Sequence, residues 1–307
     1  MKVIHAAHEL GNGSRKVCVA IGVFDGVHLG HQQIIRQTVA DARQHDALAV
    51  VVTFDKHPSA IVAPDRVPPQ IFSRSQKLRA IEALGADALL EIPFDKSFSE
   101  KSGDVFIREL AGGLGKIHSL CVGADFVFGR KRSGDVELLK KLGAELNFHV
   151  HGLASVSLDG LVVSSTRIRE AIRGGNLDAA SQMLGRPYAI CGLVVAGDRL
   201  GRQLGFPTAN LDAAALVLPP NGVYAGSTRL AGKFYPVALN LGVRPTLAAT
   251  KPQLRVEAHL LDFTGDLYGT EMEVEIGPKL RDERRFGSPA ELREQIAQDV
   301  AAVRRMA

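Results

Sequence analysis

The spacing of apolar positions changes character partway along the chain. In the first part, short β-branched runs alternate with stretches whose apolar residues recur every three or four positions. Residues 17–23 read as a buried strand, and residues 30–45 follow as a helix with Ile35, Val39 and Ala42 on one face. Residues 47–54, 88–92, 119–123 and 148–156 read as further strands. Residues 75–84, 105–110 and 136–142 read as helices between them, the first stopped by Gly85 and the second by Gly112 and Gly113. Strand–helix alternation of this kind predicts an α/β domain, a parallel sheet with helices on both faces.

Near Gly185-Arg186-Pro187 the pattern shifts to short alternating runs set among glycines and prolines. Residues 189–196, 222–230, 234–240, 255–263 and 272–276 read as strands, and in the last Met272, Val274 and Ile276 alternate with acids. Several short strands with turns between them predict a small antiparallel β-barrel. A terminal α-helix caps it. Ser288-Pro289-Ala290-Glu291 forms a capping box with proline at the first helical position, and Leu292, Ile296, Val300 and Val303 make one apolar stripe. The expected domains are residues 1–185 and 186–307.

Composition adds little but excludes several classes. At 307 residues the chain is too long for one ordinary core, which agrees with two domains. No apolar run is long enough to span a bilayer, and the first residues lack a signal core, so a cytoplasmic protein without a membrane partner is expected. Cys18, Cys121 and Cys191 sit in apolar runs without CxxC spacing, which reads as small buried hydrophobes and not as a disulfide or zinc framework. The formal charge of +4 suits an anionic ligand. Tryptophan is absent and no basic run is interleaved with aromatics, so nucleic acid is not an expected partner. Oligomeric state is left open.

The chemistry concentrates in two regions. Gly22-Val23-Phe24-Asp25-Gly26-Val27-His28-Leu29-Gly30-His31 follows a strand and opens a helix. Ligands of open α/β sheets bind at that place, where glycines admit a phosphate and a helix N-terminus supplies N–H groups. His28 and His31 are suited to offset charge growing on an α-phosphate and on departing pyrophosphate. Without the flanking strand and GxFDG, ordinary turn histidines are the better reading. At this point the sequence resembles the HxGH nucleotidylyltransferase superfamily. Ser164-Ser165-Thr166-Arg167-Ile168-Arg169 opens a later helix with hydroxyls and arginines fit to clamp a triphosphate, although Ser-Ser-Thr is often only a cap. Phe54, Phe126 and Phe128 are fit to pack on a flat ring, although phenylalanines at strand ends are usually core.

In the second region, residues 197–210 place glycines around a basic pair and end in Phe206-Pro207-Thr208-Ala209-Asn210. A glycine-rich loop offers backbone donors to phosphate, and Thr208 and Asn210 offer neutral oxygens to a Mg²⁺ that keeps mostly phosphate oxygens. Farther on, Val256, Ala258 and Leu260 share one strand face, and Glu257 and His259 share the other. A carboxylate beside a metal–ATP site is placed to accept a hydroxyl proton. A lone glutamate on a strand is more often merely solvated.

Taken in order, these segments resemble the bacterial bifunctional riboflavin kinase/FAD synthetase family. The resemblance runs from about residue 17 to 299, and it implies a Rossmann-like nucleotidylyltransferase domain followed by a kinase barrel. It implies ATP binding for adenylyl transfer by Gly22, Phe24, Asp25, Gly26, His28, Gly30, His31, Ser164, Ser165, Thr166 and Arg169, with His28 and His31 catalytic. It places Phe54, His57, Pro58, Asp125, Phe126 and Phe128 on the flavin side of that cleft. In the barrel it implies ATP binding by Gly197, Gly201, Arg202, Gly205, Pro207, Thr208 and Asn210, Mg²⁺ at Thr208 and Asn210, and flavin binding by Arg281, Glu283 and Phe286. Glu257 matches the family's catalytic base.

The implied substrates and products are small molecules: ATP, riboflavin, FMN and FAD. One departure is Lys56, where the family's F-x-P-H-P has proline. It implies either a less rigid loop or a cation for phosphate. A single-activity enzyme, a flavin-binding regulator without catalysis and a small tRNA-synthetase-like adenylating enzyme are the alternatives. Retention of both Thr208/Asn210 and Glu257 disfavours the regulator.

Overall fold

A computed structural model describes residues 1–11, 13–197, 200–244 and 253–306. By internal contacts the chain divides into one unit of Met1–Pro69 with Arg74–Ser165 and another of Gln70–Ser73 with Thr166–Ala307.

The first unit is built on six parallel strands: β1 (Lys2–Ile4), β2 (Val17–Ile21), β3 (Leu48–Phe54), β4 (Ala88–Ile92), β5 (Ile117–Gly123) and β6 (His149–Leu153). Their order in the sheet is β1-β4-β3-β2-β5-β6. β2 is buried at every position, which is why it reads as a continuous apolar run. Val17, Val19, Ile21, Leu120 and Val122 face a core shared with Phe106, Ile107, Leu110, Leu139 and Leu142. On the opposite face Asp41, from the helix α1 (Leu29–Gln44), accepts a hydrogen bond from Ser119 Oγ at 2.9 Å. Helices therefore cover both faces, as alternation predicts. The chain leaves β2 toward β3 on one side, and β5 lies on the other. That reversal places a crevice at the carboxyl ends of β2 and β5.

The other helices of this unit are α2 (Ser59–Val62), α3 (Arg74–Ala83), α4 (Lys96–Ser99), α5 (Gly103–Leu114) and α6 (Val136–Leu146). The glycines expected to stop α5 do not. The helix continues through them and ends at Gly115, whose φ of 78° suits glycine. Gly113 serves packing instead, since a Cβ there would lie 2.7 Å from the Ala7 Cβ. The short hairpin of β7 (Ser157–Leu158) and β8 (Leu161–Val162) follows β6.

The second unit contains α7 (Ser165–Arg173, counted from its second residue), α8 (Leu177–Leu184) and a closed antiparallel barrel. Its strands are β9 (Ala189–Val195), β10 (Ala209–Asp212), β11 (Gly222–Leu230), β12 (Lys233–Arg244), β13 (Gln253–Leu260) and β14 (Glu271–Arg281), with α9 (Leu200–Gln203) between β9 and β10. The barrel closes in the order β10-β13-β12-β11-β14-β9. β10 escapes the periodicity reading because it is only four residues long and directly follows the Phe206-Pro207 turn.

The terminal helix α10 (Pro289–Met306) starts at the predicted Ser288 cap, although the Glu291 side chain reaches one residue farther back than a capping box requires. Ser288 Oγ accepts the Glu291 N–H at 3.2 Å, and the Glu291 carboxylate accepts the Gly287 N–H at 3.0 Å. Val303 is buried in a cluster with Ala225, Ala238 and Leu261, and Val300 packs against it. All three cysteines are buried, and none is in a disulfide. Burial pushes the Cys121 thiol up to about 12, which keeps it a thiol at neutral pH.

Candidate active sites

The segment after β2 is shaped by backbone conformations that side chains rarely adopt. Phe24 has φ of 51°, Val27 of 39° and Gly26 of 78°. The buried Phe24 ring lies so close to Gly22 that a Cβ there would be 2.9 Å from it. This tight loop delivers His28 to the N-cap of α1, where Nδ1 accepts the His31 N–H at 3.4 Å. The two imidazoles stack, with centroids 3.6 Å apart and planes at 21°. Phe24 meets the His31 ring edge-on at 5.2 Å. Since His28 Nδ1 accepts, a neutral His28 ring carries its proton on Nε2.

His31 Nδ1 is buried and has no hydrogen-bond partner among the described residues. Burial, with His28 alongside, holds this imidazole well below the usual histidine value of 6.5. The native state therefore takes up that proton at lower pH than the unfolded chain. The stability this confers is complete above about pH 6.5 and is lost as pH falls from there toward the native value. The thermal stability of this unit is expected to fall from about pH 7 to pH 5, and less so in His31→Gln. Melting temperatures measured against pH check this, and an equal slope in the variant contradicts it.

A cavity of ≈ 340 Å³ lies over these residues. His28, Gly30 and His31 line it together with Gly123, Asp125, Phe126 and Val127 from the end of β5. Residues 153–156 close it beyond β6. Ser155 Oγ reaches Asp125 at 3.5 Å. The histidine loop and the Asp125–Phe126 turn thus share one crevice at the sheet's reversal point. Ser165 Oγ ties on by donating to the Asp25 carbonyl at 3.1 Å. Thr166 and Arg169 lie on α7 in the second unit, and Arg169 is buried there.

Phe54, His57 and Pro58 do not line this cavity. Phe54 packs against Phe94 and Phe98, at 5.3 and 5.7 Å. A succession of ring contacts then runs through Phe106 and Phe128 to Phe126, which does line it. His57 Nδ1 accepts the Ser59 N–H at 3.2 Å. Lys56 lies 3.7 Å from the Asp55 carboxylate and is partly exposed. Lys77 on α3 is a residue that motif reading missed. It donates to the Phe54 carbonyl at 3.1 Å, and burial lowers its pKa against the pull of Glu91, Asp25 and Asp55. No local signal marks it, because the groups around it come from separate segments of the chain.

In the barrel, strand register assembles the second site. Glu257 on β13 stands opposite Asn210 on β10 and opposite Asn240 on β12. Directly opposed residues point to the same side, so an acid lies between two amides in one row. Arg255 Nη1 donates to Glu257 Oε1 at 3.1 Å. The row opens on a pocket of ≈ 300 Å³, whose other walls include Gly201, Thr208 and His259 as well as Arg281, Glu283 and Phe286. Phosphate-side and flavin-side candidates from distant parts of the chain therefore meet in one cavity.

Arg281 is braced by Asp299 of α10 through contacts of 3.0 Å at Nε and 2.8 Å at Nη2. Phe286 lies beneath Arg284 at 4.9 Å and near Arg281 at 5.7 Å. Glu283 rests on Gly242, where a Cβ would meet its carboxylate at 2.4 Å. Arg202 and Pro207 line a second recess of ≈ 330 Å³ with Phe263, Asp266 and Tyr268. Thr208 belongs to both cavities. Gly197 packs on the Asn210 amide, with no room for a Cβ, and Gly205 takes φ of 90°. Asn240, Arg255, Arg284 and Asp299 were not singled out by sequence, although β13 periodicity does place Arg255 beside Glu257. Asp198 and Arg199 of the 197–210 segment lie outside the described residues, as do residues 245–252.

Among the described residues, no group of three or more His, Cys, Asp or Glu side chains could hold a metal ion, and no helix is long and apolar enough to cross a membrane. Neutral oxygens at Thr208 and Asn210 beside one carboxylate fit a divalent ion carried mainly by substrate phosphate.

Fold and sites together define a two-module enzyme of nucleotide chemistry. The family pattern described as FAD synthetase matches residues 12–167, and that described as riboflavin kinase matches residues 184–307. The bifunctional riboflavin kinase/FMN adenylyltransferase of Escherichia coli strain K12 is 39% identical over 306 residues, covering 99% of this chain and 97% of the relative. The enzyme of the same description from Pseudomonas fluorescens is 39% identical over 308 residues, covering 100% and 98%. A crystal structure described as a macrolide-efflux protein from Streptococcus pneumoniae matches with a TM-score of 0.83 at 28% identity, over 99% of each chain. The chain belongs to the bifunctional riboflavin kinase/FMN adenylyltransferase family, with the FAD synthetase module first and the riboflavin kinase module second.

Proposed function

We propose that residues 186–307 phosphorylate riboflavin to FMN and that residues 1–185 join FMN to the adenylyl group of a second ATP, giving FAD and pyrophosphate. The observation that carries the kinase half is the Asn210–Glu257–Asn240 row opening on the pocket that also holds Arg281, Glu283 and Phe286. The riboflavin 5′-hydroxyl oxygen attacks the γ-phosphorus of ATP, the bond to the ADP oxygen breaks, and Glu257 takes the hydroxyl proton. The nucleotide occupies the Arg202–Phe263–Tyr268 recess, and its phosphates cross Thr208 toward Glu257. Mg²⁺, when bound with ATP, offsets charge on phosphate oxygens, and Thr208 and Asn210 are the residues to hold it. Positioning and charge stabilisation dominate, since phosphoryl transfer asks little covalent work of the protein.

In the other half, the shared crevice of His28, His31, Asp125 and Phe126 supports the reading. An FMN phosphate oxygen attacks the α-phosphorus of ATP, and the bond to pyrophosphate breaks. His28 Nε2–H is a hydrogen-bond donor for charge developing on the phosphates. The unpartnered His31 Nδ1 fits a polar ligand in that cavity. Incubation with riboflavin, ATP and Mg²⁺, followed by chromatographic separation of flavins, is expected to show FMN and then FAD. Absence of both products overturns the proposal, and FMN alone overturns the adenylyl half.

A further inference from the structure

β10 pairs with β13 at Asn210 and Ala209, opposite Glu257 and Ala258. One step farther the same register sets Thr208 opposite His259, but the pairing stops. Pro207 has no N–H with which to extend a ladder, yet its carbonyl still calls for a donor. His259 supplies one: its Nδ1 lies 2.8 Å from the Pro207 carbonyl oxygen. A carbonyl only accepts, so Nδ1 carries the proton, whether or not the ring is charged. Phe206 restrains the ring edge-on at 5.6 Å and 87°.

The far side of the same turn is held as firmly. The Phe206 N–H donates to the Gly201 carbonyl at 2.8 Å. A Cβ on Gly201 would lie 2.5 Å from the Phe206 carbonyl oxygen and 3.2 Å from Thr208 Oγ1. The Phe206–Thr208 turn is thus gripped between α9 and the imidazole of β13.

We infer that His259 is a positioning residue of the kinase site, a side-chain latch that replaces the missing backbone ladder at Pro207. It holds Thr208 and Asn210 in register with Glu257, which sits two residues away on the same strand face. Phosphates bound at Thr208 and the hydroxyl facing Glu257 are thereby aligned by one strand. This inference rests on the proposed assignment of Thr208 and Asn210 to the Mg–ATP side.

The test is steady-state riboflavin phosphorylation by the full chain, comparing wild type with His259→Ala, His259→Asn and Thr208→Ala. Loss of the latch is expected to raise KM for Mg–ATP about tenfold in His259→Ala, the effect of one hydrogen bond. The asparagine amide can place an N–H where Nδ1 stands, so His259→Asn is expected to bring KM back to within about threefold of wild type. The pH profile of kcat is expected to keep its shape in both variants, because the latched proton does not transfer. FAD formation from supplied FMN reports an intact first module throughout.

A His259→Ala KM within about twofold of wild type overturns the latch. So does a lost limb of the pH profile in both variants, which would make His259 an acid or base. If the alanine variant does not fold, the asparagine variant decides: a folded His259→Asn protein with the full loss of ATP affinity overturns the latch. Thr208→Ala separates the two layers of the argument. An unchanged KM there refutes the Thr208 assignment, whereas a raised KM beside an unchanged His259→Ala refutes only the latch.

Discussion

Glu257→Gln is expected to lower kcat for riboflavin phosphorylation by about 10²-fold, the lower end of the range for removing a general base. The lower end is chosen because phosphoryl transfer has a loose transition state in which the nucleophile's proton is lost late. Glutamine keeps the shape and can keep the Arg255 contact, so KM for either substrate should move little. The change removes an acceptor for the proton, not a wall of the pocket. Conversion of supplied FMN to FAD should continue at the wild-type rate, because Glu257 belongs to the other module. Initial rates of each step, with flavins separated by chromatography, measure both. A wild-type rate of FMN formation refutes the base assignment, and a large rise in KM with kcat intact makes Glu257 a binding residue.

The second large effect is expected at His28. His28→Ala should depress FAD formation by about 10²–10³-fold, the cost of losing one donor aimed at developing charge, and leave FMN formation intact. This variant alone is ambiguous, because His28 also caps α1 and stacks on His31. Loss of a cap costs about 1 kcal/mol of stability. Asparagine is a strong N-cap, so His28→Asn restores the helix start without restoring the imidazole Nε2–H. If charge stabilisation is the role, both variants lose FAD formation and the asparagine one regains only thermal stability. Recovery of activity in His28→Asn would show that the cap and not the imidazole was the essential part. An equal loss of both activities in either variant would argue against separate sites.

Much of this protein is legible residue by residue. The runs that became β2, β3 and β4 are apolar because both faces of a parallel sheet are covered. The start of α10 is written in Ser288 and Glu291, whose contacts with the Glu291 and Gly287 N–H groups involve only near neighbours. The tight loop before α1 is legible for the same reason: its glycines and histidines act on backbone within a few positions. What escaped was short or served something distant. β1 and β10 have too few residues to show a period. Gly112 and Gly113 look like a helix stop, yet the helix runs through both, and the bare backbone of Gly113 makes room for Ala7 from far away in the chain.

The sites divide along the same line. His28, His31, Thr208, Asn210 and Glu257 stand out from local motif and resemblance. Their surroundings do not. Phe54 resembles a flavin-side residue in sequence, but in the fold it packs with Phe94 and Phe98 and stays off the wall of the cavity. Lys77 carries no motif, and the acids around it, Glu91 on β4 with Asp25 and Asp55, come from three separate parts of the chain. Asn240 and Asp299 acquire meaning from strand register and from the return of α10 to the barrel.

By itself the sequence determined the order of the two modules, the strand and helix periods, the cap of the last helix and the loops able to approach phosphate. Each of these depends on interactions between residues a few positions apart. The tertiary structure alone decided which acids, amides and rings share a cavity. That choice depends on sheet order and on the register between strands, which bring Asn210, Asn240 and Glu257 into one row. A shift of one residue in any of those pairings would turn the row away from the pocket without changing a letter of the motifs.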